Sequence, residues 1–174
     1  MSLPTTERLA HHEAGHAVVQ HWISEGRFQV TRVALDSDGE TVAGSSLIDN
    51  NVTLGLYQFG LVVLAGIAAE NRYFLLNNLH EGDHWGAVGD IEEWLSAARD
   101  ALQSEARVEI VTRNVLRRLR EFFQAGTTWS VVSELAQLLI SQGVVEGERL
   151  QGLLRGDSAT REPANGVNCA SAGR

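Results

Sequence analysis

The chain has 174 residues, 44% of them hydrophobic and 21% charged, which suits a single core of ordinary composition. Its net charge of -8 repels nucleic-acid phosphates, and all 14 of its cationic residues are arginine, so the phosphate-reaching lysine of a P-loop ATPase is missing. A single cysteine, Cys169, excludes an intrachain disulfide and a cysteine-built zinc site.

The first residues, Met1 to Arg8, carry no charged segment followed by an apolar one, so no signal peptide is expected. Pro4, Thr5 and Thr6 read as a helix start and Gly26 as its stop. Between them stands His11-His12-Glu13-Ala14-Gly15-His16, which contains H-E-x-x-H. On a helix His12 and His16 share a face one turn apart, so both imidazoles can reach one metal ion. Glu13 projects beside the pair, where it acts on water rather than ligating, an arrangement that suits a zinc hydrolase. The competing reading is an amphipathic core helix whose histidines are spaced by coincidence. Against it, two histidines on a face of Ala10, Ala14, Ala17 and Val18 are costly to bury unless their ring nitrogens are satisfied. Gly15 costs about 1 kcal/mol relative to alanine inside a helix, which implies that another backbone or a ligand comes close there. His11 is rotated by about 100° from His12 and is not expected to ligate. His21 lies past the face and is expected at the surface.

Phe28 to Leu35 is rich in strand formers, Asp36 to Gly39 reads as a turn, and Thr41 to Ile48 reads as a second strand. Gly44, Ser45 and Ser46 give that strand little side-chain packing, as on a sheet edge. They are the candidate residues for holding an extended peptide by strand addition. Thr53 to Leu76 reads as one long buried helix. Its apolar run, Phe59 to Ala69, is too short to span a bilayer, so no membrane span and a cytoplasmic location are expected. Glu70 on this apolar helix either accepts a hydrogen bond from a ligand histidine, fixing its tautomer, or faces solvent at a helix end.

Asn77 to Gly89 reads as a loop, whose His80, Asp83 and His84 are taken as solvated. A helix then begins at Asp90, with Ile91, Trp94, Leu95, Ala98 and Leu102 on one face. Its pattern continues through Val108, Val115, Leu119 and Phe122 after a break near Gln103-Ser104. The run Arg117-Arg118-Leu119-Arg120 is either a patch for phosphate or an acidic partner, or a solvated face, which Glu109 and Glu121 favour. Gly126-Thr127-Thr128 reads as a stop and a cap, Trp129 to Gln142 as a helix, and Glu146 to Leu154 as a last short one. From Arg155 the composition shifts to Gly, Ser, Ala, Asn and Pro. The expectation is a mainly α domain with a small β-sheet (α+β) over residues 1–154, and a flexible tail over 155–174.

Several segments, in order, resemble the peptidase domain of the FtsH family of ATP-dependent zinc metalloproteases. His12-Glu13-Ala14-Gly15-His16-Ala17-Val18-Val19 looks like its metal helix. Leu64-Ala65-Gly66-Ile67-Ala68-Ala69-Glu70 is similar to its glycine-containing helix, and Gly86-Ala87-Val88-Gly89-Asp90-Ile91 to the segment bearing its third ligand. The resemblance covers roughly residues 5 to 154. It implies a zincin-like fold, a zinc ion held by His12, His16 and Asp90, Glu13 as general base, and peptides or unfolded proteins as substrates. On spacing alone Asp90, with Glu93 three residues on, is equally an N-cap, and one carboxylate can do both. The family's ATPase module and membrane anchor are missing, so a separate AAA ATPase would have to supply unfolding. Ile67 replaces the family's arginine and Gly89 its asparagine. A long insertion near subunit contacts is also absent, which argues against a hexameric ring and leaves the oligomeric state open. The alternative is a catalytically silent, zincin-like regulatory domain that partners a full-length protease.

Overall fold

In the computed structural model, which describes residues 5–35, 41–46, 54–78 and 88–156, the motif helix α1 (Thr5–Ser24) is buried along its middle from Leu9 to Val19. It lies against α3 (Ala65–Leu76) on one side and α6 (Gly126–Gln142) on another, with strand β1 (Gln29–Leu35) also packed on it. Small residues make this density workable: Ala10, Ala14 and Ala17 are fully buried. At Gly15 a Cβ would stand 2.6 Å from the Ala69 Cβ and 3.0 Å from the Ala65 carbonyl oxygen. The helix-interior glycine therefore marks the close backbone approach that its propensity cost implied, and the approaching element is α3.

β1 is the middle strand of a three-stranded antiparallel sheet ordered β2-β1-β3, with β2 spanning Thr41–Ser46 and β3 spanning Val144–Glu146. Val30 and Val33 of β1 point into the core. β2 is an edge strand, as its weak composition suggested, and pairs Ser46 with Gln29 and Gly44 with Arg32. The end of the expected strand at Leu47 and Ile48, and the Asp36–Gly39 turn, lie outside the described residues. The short β3 was not expected; Gly143, with φ 74°, turns the chain out of α6 and into it.

Four expectations need correcting. The single helix from Thr53 to Leu76 is two: α2 (Leu56–Val63) and α3, bent by 44° at Leu64. The bend turns Gly66 and Glu70, one turn apart, toward α1. The next helix, α4 (Val88–Leu102), begins before Asp90, so Val88 and Gly89 are helical rather than loop and Asp90 is a first-turn residue rather than an N-cap. α6 begins at Gly126, with Ala125 as its N-cap and no side-chain capping bond, so Thr127 and Thr128 do not cap it. Arg155 belongs to the last helix, α7 (Gly147–Arg155), which Gly156 ends in the left-handed conformation; residues 157–174 lie outside the described ones. The break near Gln103-Ser104 is present, separating α4 from α5 (Glu105–Gln124).

The described chain is thus mostly helical with one small antiparallel sheet. No described helix alone is long and apolar enough to cross a membrane; α2 and α3 pass that test only as a bent pair. Trp94 of α4 is 1% exposed and donates its indole N–H to Thr112 Oγ1 of α5 at 2.8 Å. Its ring fills the space over Gly60 of α2, where a Cβ would come within 2.6 Å of it. Tyr73 of α3 donates its hydroxyl to Glu7 Oε2 at 2.6 Å, tying α3 to the first turn of α1. Burial first, then that bond and the Glu7 charge, push the Tyr73 hydroxyl up to about 12. Tyr73→Phe is expected to lower unfolding free energy by about 1 kcal/mol, measured by urea denaturation, because it deletes one charge-assisted bond at a partly exposed site.

Candidate metal centre

The site sits where α1, α3 and α4 meet. His12 and His16, on one face of α1 as their spacing requires, are 3% and 9% exposed. His12 donates Nδ1–H to Glu70 Oε1 at 2.7 Å, and His16 donates Nδ1–H to the Val62 carbonyl at 2.8 Å. Val62 lies in the last turn of α2, where carbonyls lack the usual i+4 helical donor, so the end of the helix at Leu64 leaves this acceptor within reach of His16. A carbonyl or carboxylate can only accept, so in a neutral imidazole each bond fixes the proton on Nδ1 and leaves a bare lone pair on Nε2.

Both lone pairs point at the same place. The two Nε2 atoms are 3.0 Å apart, and Asp90 Oδ2 lies 3.1 Å from that of His12 and 3.3 Å from that of His16. Asp90 Oδ2 is itself buried and has no described polar neighbour to satisfy it other than these two imidazoles. With both imidazoles neutral and their protons on Nδ1, these three atoms are all acceptors and repel unless a cation joins them. Tetrahedral zinc with bonds of about 2.0–2.1 Å sets its donor atoms about 3.3 Å apart, so the spacing of these three suits that ion. Without a metal the cation is a proton. Burial alone would lower the His12 pKa, but hydrogen bonds to Asp90 and Glu70, with the charges of Glu13 and Glu70, outweigh it and raise the value to about 9. For Asp90, burial alone would raise the pKa, but hydrogen bonding to His12 and His16 and their charges hold it well below the usual carboxylate range.

Trp94 is one turn beyond Asp90 on the same face of α4, so its seat on Gly60 sets where the carboxylate arrives. Glu13, 4% exposed, brings Oε1 to 3.9 Å from His12 Nε2, beyond the spacing of the other three. His12, Glu13 and His16 form a buried group able to hold a metal ion. Glu70 is completely buried rather than solvent-facing, and lies between His12 and Arg8, whose Nε is 3.9 Å from Oε2. Gly66 faces the His12 ring so closely that a Cβ would come within 2.5 Å of Nε2.

Other candidates fall elsewhere. His11 stacks on Tyr73 at 4.0 Å and donates Nδ1–H to the Glu7 carbonyl; burial lowers its pKa although that bond and the Glu7 charge oppose it. His21 is half-buried rather than on the surface, and burial, then the Arg155 charge, lower its pKa. His80, Asp83 and His84 lie outside the described residues, as do the side chains of Gly44 to Ser46, whose strand packs on α1. Sequence reasoning missed Val62, Arg8 and the seating of Trp94. Gly66 and Gly60 were the available signals, as glycines within helices like Gly15. No protein-family model matches the chain, and no curated protein is detectably similar to it.

Proposed function

We propose that the chain is a zinc-dependent metalloendopeptidase, zincin-like and built as the FtsH peptidase domain that its motifs resemble, acting on peptides or unfolded proteins. The observation that carries this reading is the convergence of His12 Nε2, His16 Nε2 and Asp90 Oδ2 within 3.0 to 3.3 Å of one another. Bound zinc supplies Lewis acidity there, polarising a carbonyl and bringing the acidity of water toward neutral pH. Glu13 takes the proton from the attacking water and passes it to the departing amine. Glu70 holds His12 in its ligating tautomer, as the Val62 carbonyl holds His16. The open edge of β2, at Gly44, Ser45 and Ser46, offers main-chain groups to an extended substrate. Folded substrates would reach the site through a separate AAA ATPase in the cytoplasm, because the chain has no P-loop lysine.

The test is metal content by elemental analysis together with hydrolysis of a fluorogenic casein. The expected result is about one zinc per chain, activity abolished by a chelator, and activity restored by zinc. Protein that binds no divalent metal, or cleaves equally well after chelation, overturns the reading. A bound ion without hydrolysis transfers support to the silent regulatory domain. Replacing Ser45 with proline should raise KM severalfold by removing a main-chain donor from the strand; an unchanged KM removes β2 from the substrate path.

A further inference from the structure

Two residues along a helix turn a side chain by about 200°, so Ala68, Arg72 and Leu75 leave α3 on the face opposite Gly66 and Glu70. There, between α3 and α5, lies a groove of about 380 Å³ that is separate from the metal centre. Its floor is apolar, made by Ala68, Leu116 and Phe123, with Leu75 on the rim at 69% exposure. Four guanidiniums line it: Arg72 from α3, and Arg113, Arg117 and Arg120 from α5.

Their pairing is uneven. Arg113 is tied to Glu109 and Arg117 to the Asn114 side chain, whereas Arg72 and Arg120 make no ion pair or hydrogen bond among the described residues. Arg72 Nε and Asn71 Oδ1 are buried in this wall without a hydrogen-bond partner. The basic run of α5 is therefore not one solvated face. Arg118 turns away to Glu121 and the Trp22 ring, while Arg117 and Arg120 turn to the groove. A protein of net charge -8 has here gathered positive charge around an apolar floor.

Size selects the occupant. The volume lies in the range of small-molecule sites, roughly 300–1,000 Å³. The α3 wall runs from Ala68 to Leu75, about 10 Å at 1.5 Å per residue. Arginine offers a planar fork that matches a carboxylate. We propose that this groove binds a free small-molecule carboxylate with an apolar body, of the medium-chain acyl class. Arg72 and Arg120 hold the head, and Ala68, Leu116 and Phe123 carry the body. The assignment does not depend on the peptidase reading.

Titration calorimetry of the full chain with octanoate, acetate, octanol and anionic phosphatidylglycerol vesicles tests it. Octanoate is expected to bind, with acetate and octanol each at least about tenfold weaker, because head and body must be recognised together. Arg120→Glu and Arg72→Gln should each weaken octanoate by about tenfold or more. Leu116→Asp should abolish binding with the circular dichroism spectrum and melting temperature retained. Chelator should leave octanoate affinity unchanged, which separates this site from the metal centre. Equal binding of octanoate and octanol overturns the proposal, as does wild-type affinity in the arginine variants. Arg120-dependent capture by the vesicles with octanoate inert also overturns it, and makes the groove a membrane contact.

Discussion

Glu13→Gln is expected to keep zinc content and melting temperature near those of the parent chain while hydrolysis of fluorogenic casein falls by a factor of about 10²–10⁴. The substitution keeps the size of the side chain and removes only its capacity to take a proton. Glu13 Oε1 stands 3.9 Å from His12 Nε2, whereas the three facing donor atoms stand 3.0 to 3.3 Å from one another. In the proposed centre Glu13 is not a ligand, so neutralising it should not release the ion. Asp90→Ala should show the reverse order of events, with metal lost first and activity following it, because in the proposed centre Asp90 is one of three protein donors. If Glu13→Gln loses its metal, Glu13 is a ligand and the base lies elsewhere. If it cleaves as fast as the parent chain, the proton-transfer role is wrong.

The features legible in the sequence are those that depend on local spacing. The four-residue interval between His12 and His16 fixes a shared face on any helix, and Gly15 signals a close neighbour through its propensity cost alone. The β-formers Phe28, Val30, Thr31 and Val33 and the small residues at Gly44 to Ser46 are enough to place a strand pair with a weak edge. What could not be read depends on distant packing. Nothing between Val63 and Gly66 breaks a helix as proline would, and the bend at Leu64 makes sense only once Gly66 must face a histidine ring 54 positions earlier. Asp90 has the spacing of a cap to Glu93, but α4 begins two residues earlier, at Val88, in a stretch where neither Val88 nor Gly89 signals a helix start. β3, three residues long, is too short for any periodicity to appear.

The centre is consequently assembled from parts of very different legibility. α1 contributes two imidazoles and a carboxylate that its own sequence declares. α2, α3 and α4 contribute a helix-end carbonyl, a buried glutamate and an aspartate whose positions follow from packing around Gly15, Gly60 and Gly66. Gly15 and Gly60 are interior to helices and Gly66 is in the first turn of α3, and each lies where a Cβ would meet another element at 2.6 Å or closer. The arginine run of α5 divides on the same principle. Residues adjacent in sequence leave a helix about 100° apart, so Arg117 and Arg118 serve different surfaces.

Gly66→Ala should therefore damage the metal centre by adding a single methyl group. The new Cβ would stand 2.5 Å from His12 Nε2 and 2.6 Å from Nδ1, closer than atoms without a bond approach. The ring has little room to yield, because Nδ1 is held by Glu70 at 2.7 Å and any rotation breaks that bond inside the core. Retreat of helix α3 would open the close contact that Ala65 and Ala69 make with Gly15 of α1. Overpacking of about 1–3 kcal/mol is offset by about 1 kcal/mol of helix propensity, so the melting temperature should move by only a few degrees. The effect falls on the lone pair. Zinc affinity, measured by competition with a chromophoric chelator, is expected to drop by about 10–100-fold. Gly89→Ala is the matched control: it adjoins Asp90 in α4, yet among the described residues nothing lies within 4 Å of its Cβ position, and zinc affinity should be unchanged. Equal zinc affinity in the Gly66 variant and the parent chain would mean that His12 does not turn Nε2 to the ion, and the three-donor centre would have to be abandoned.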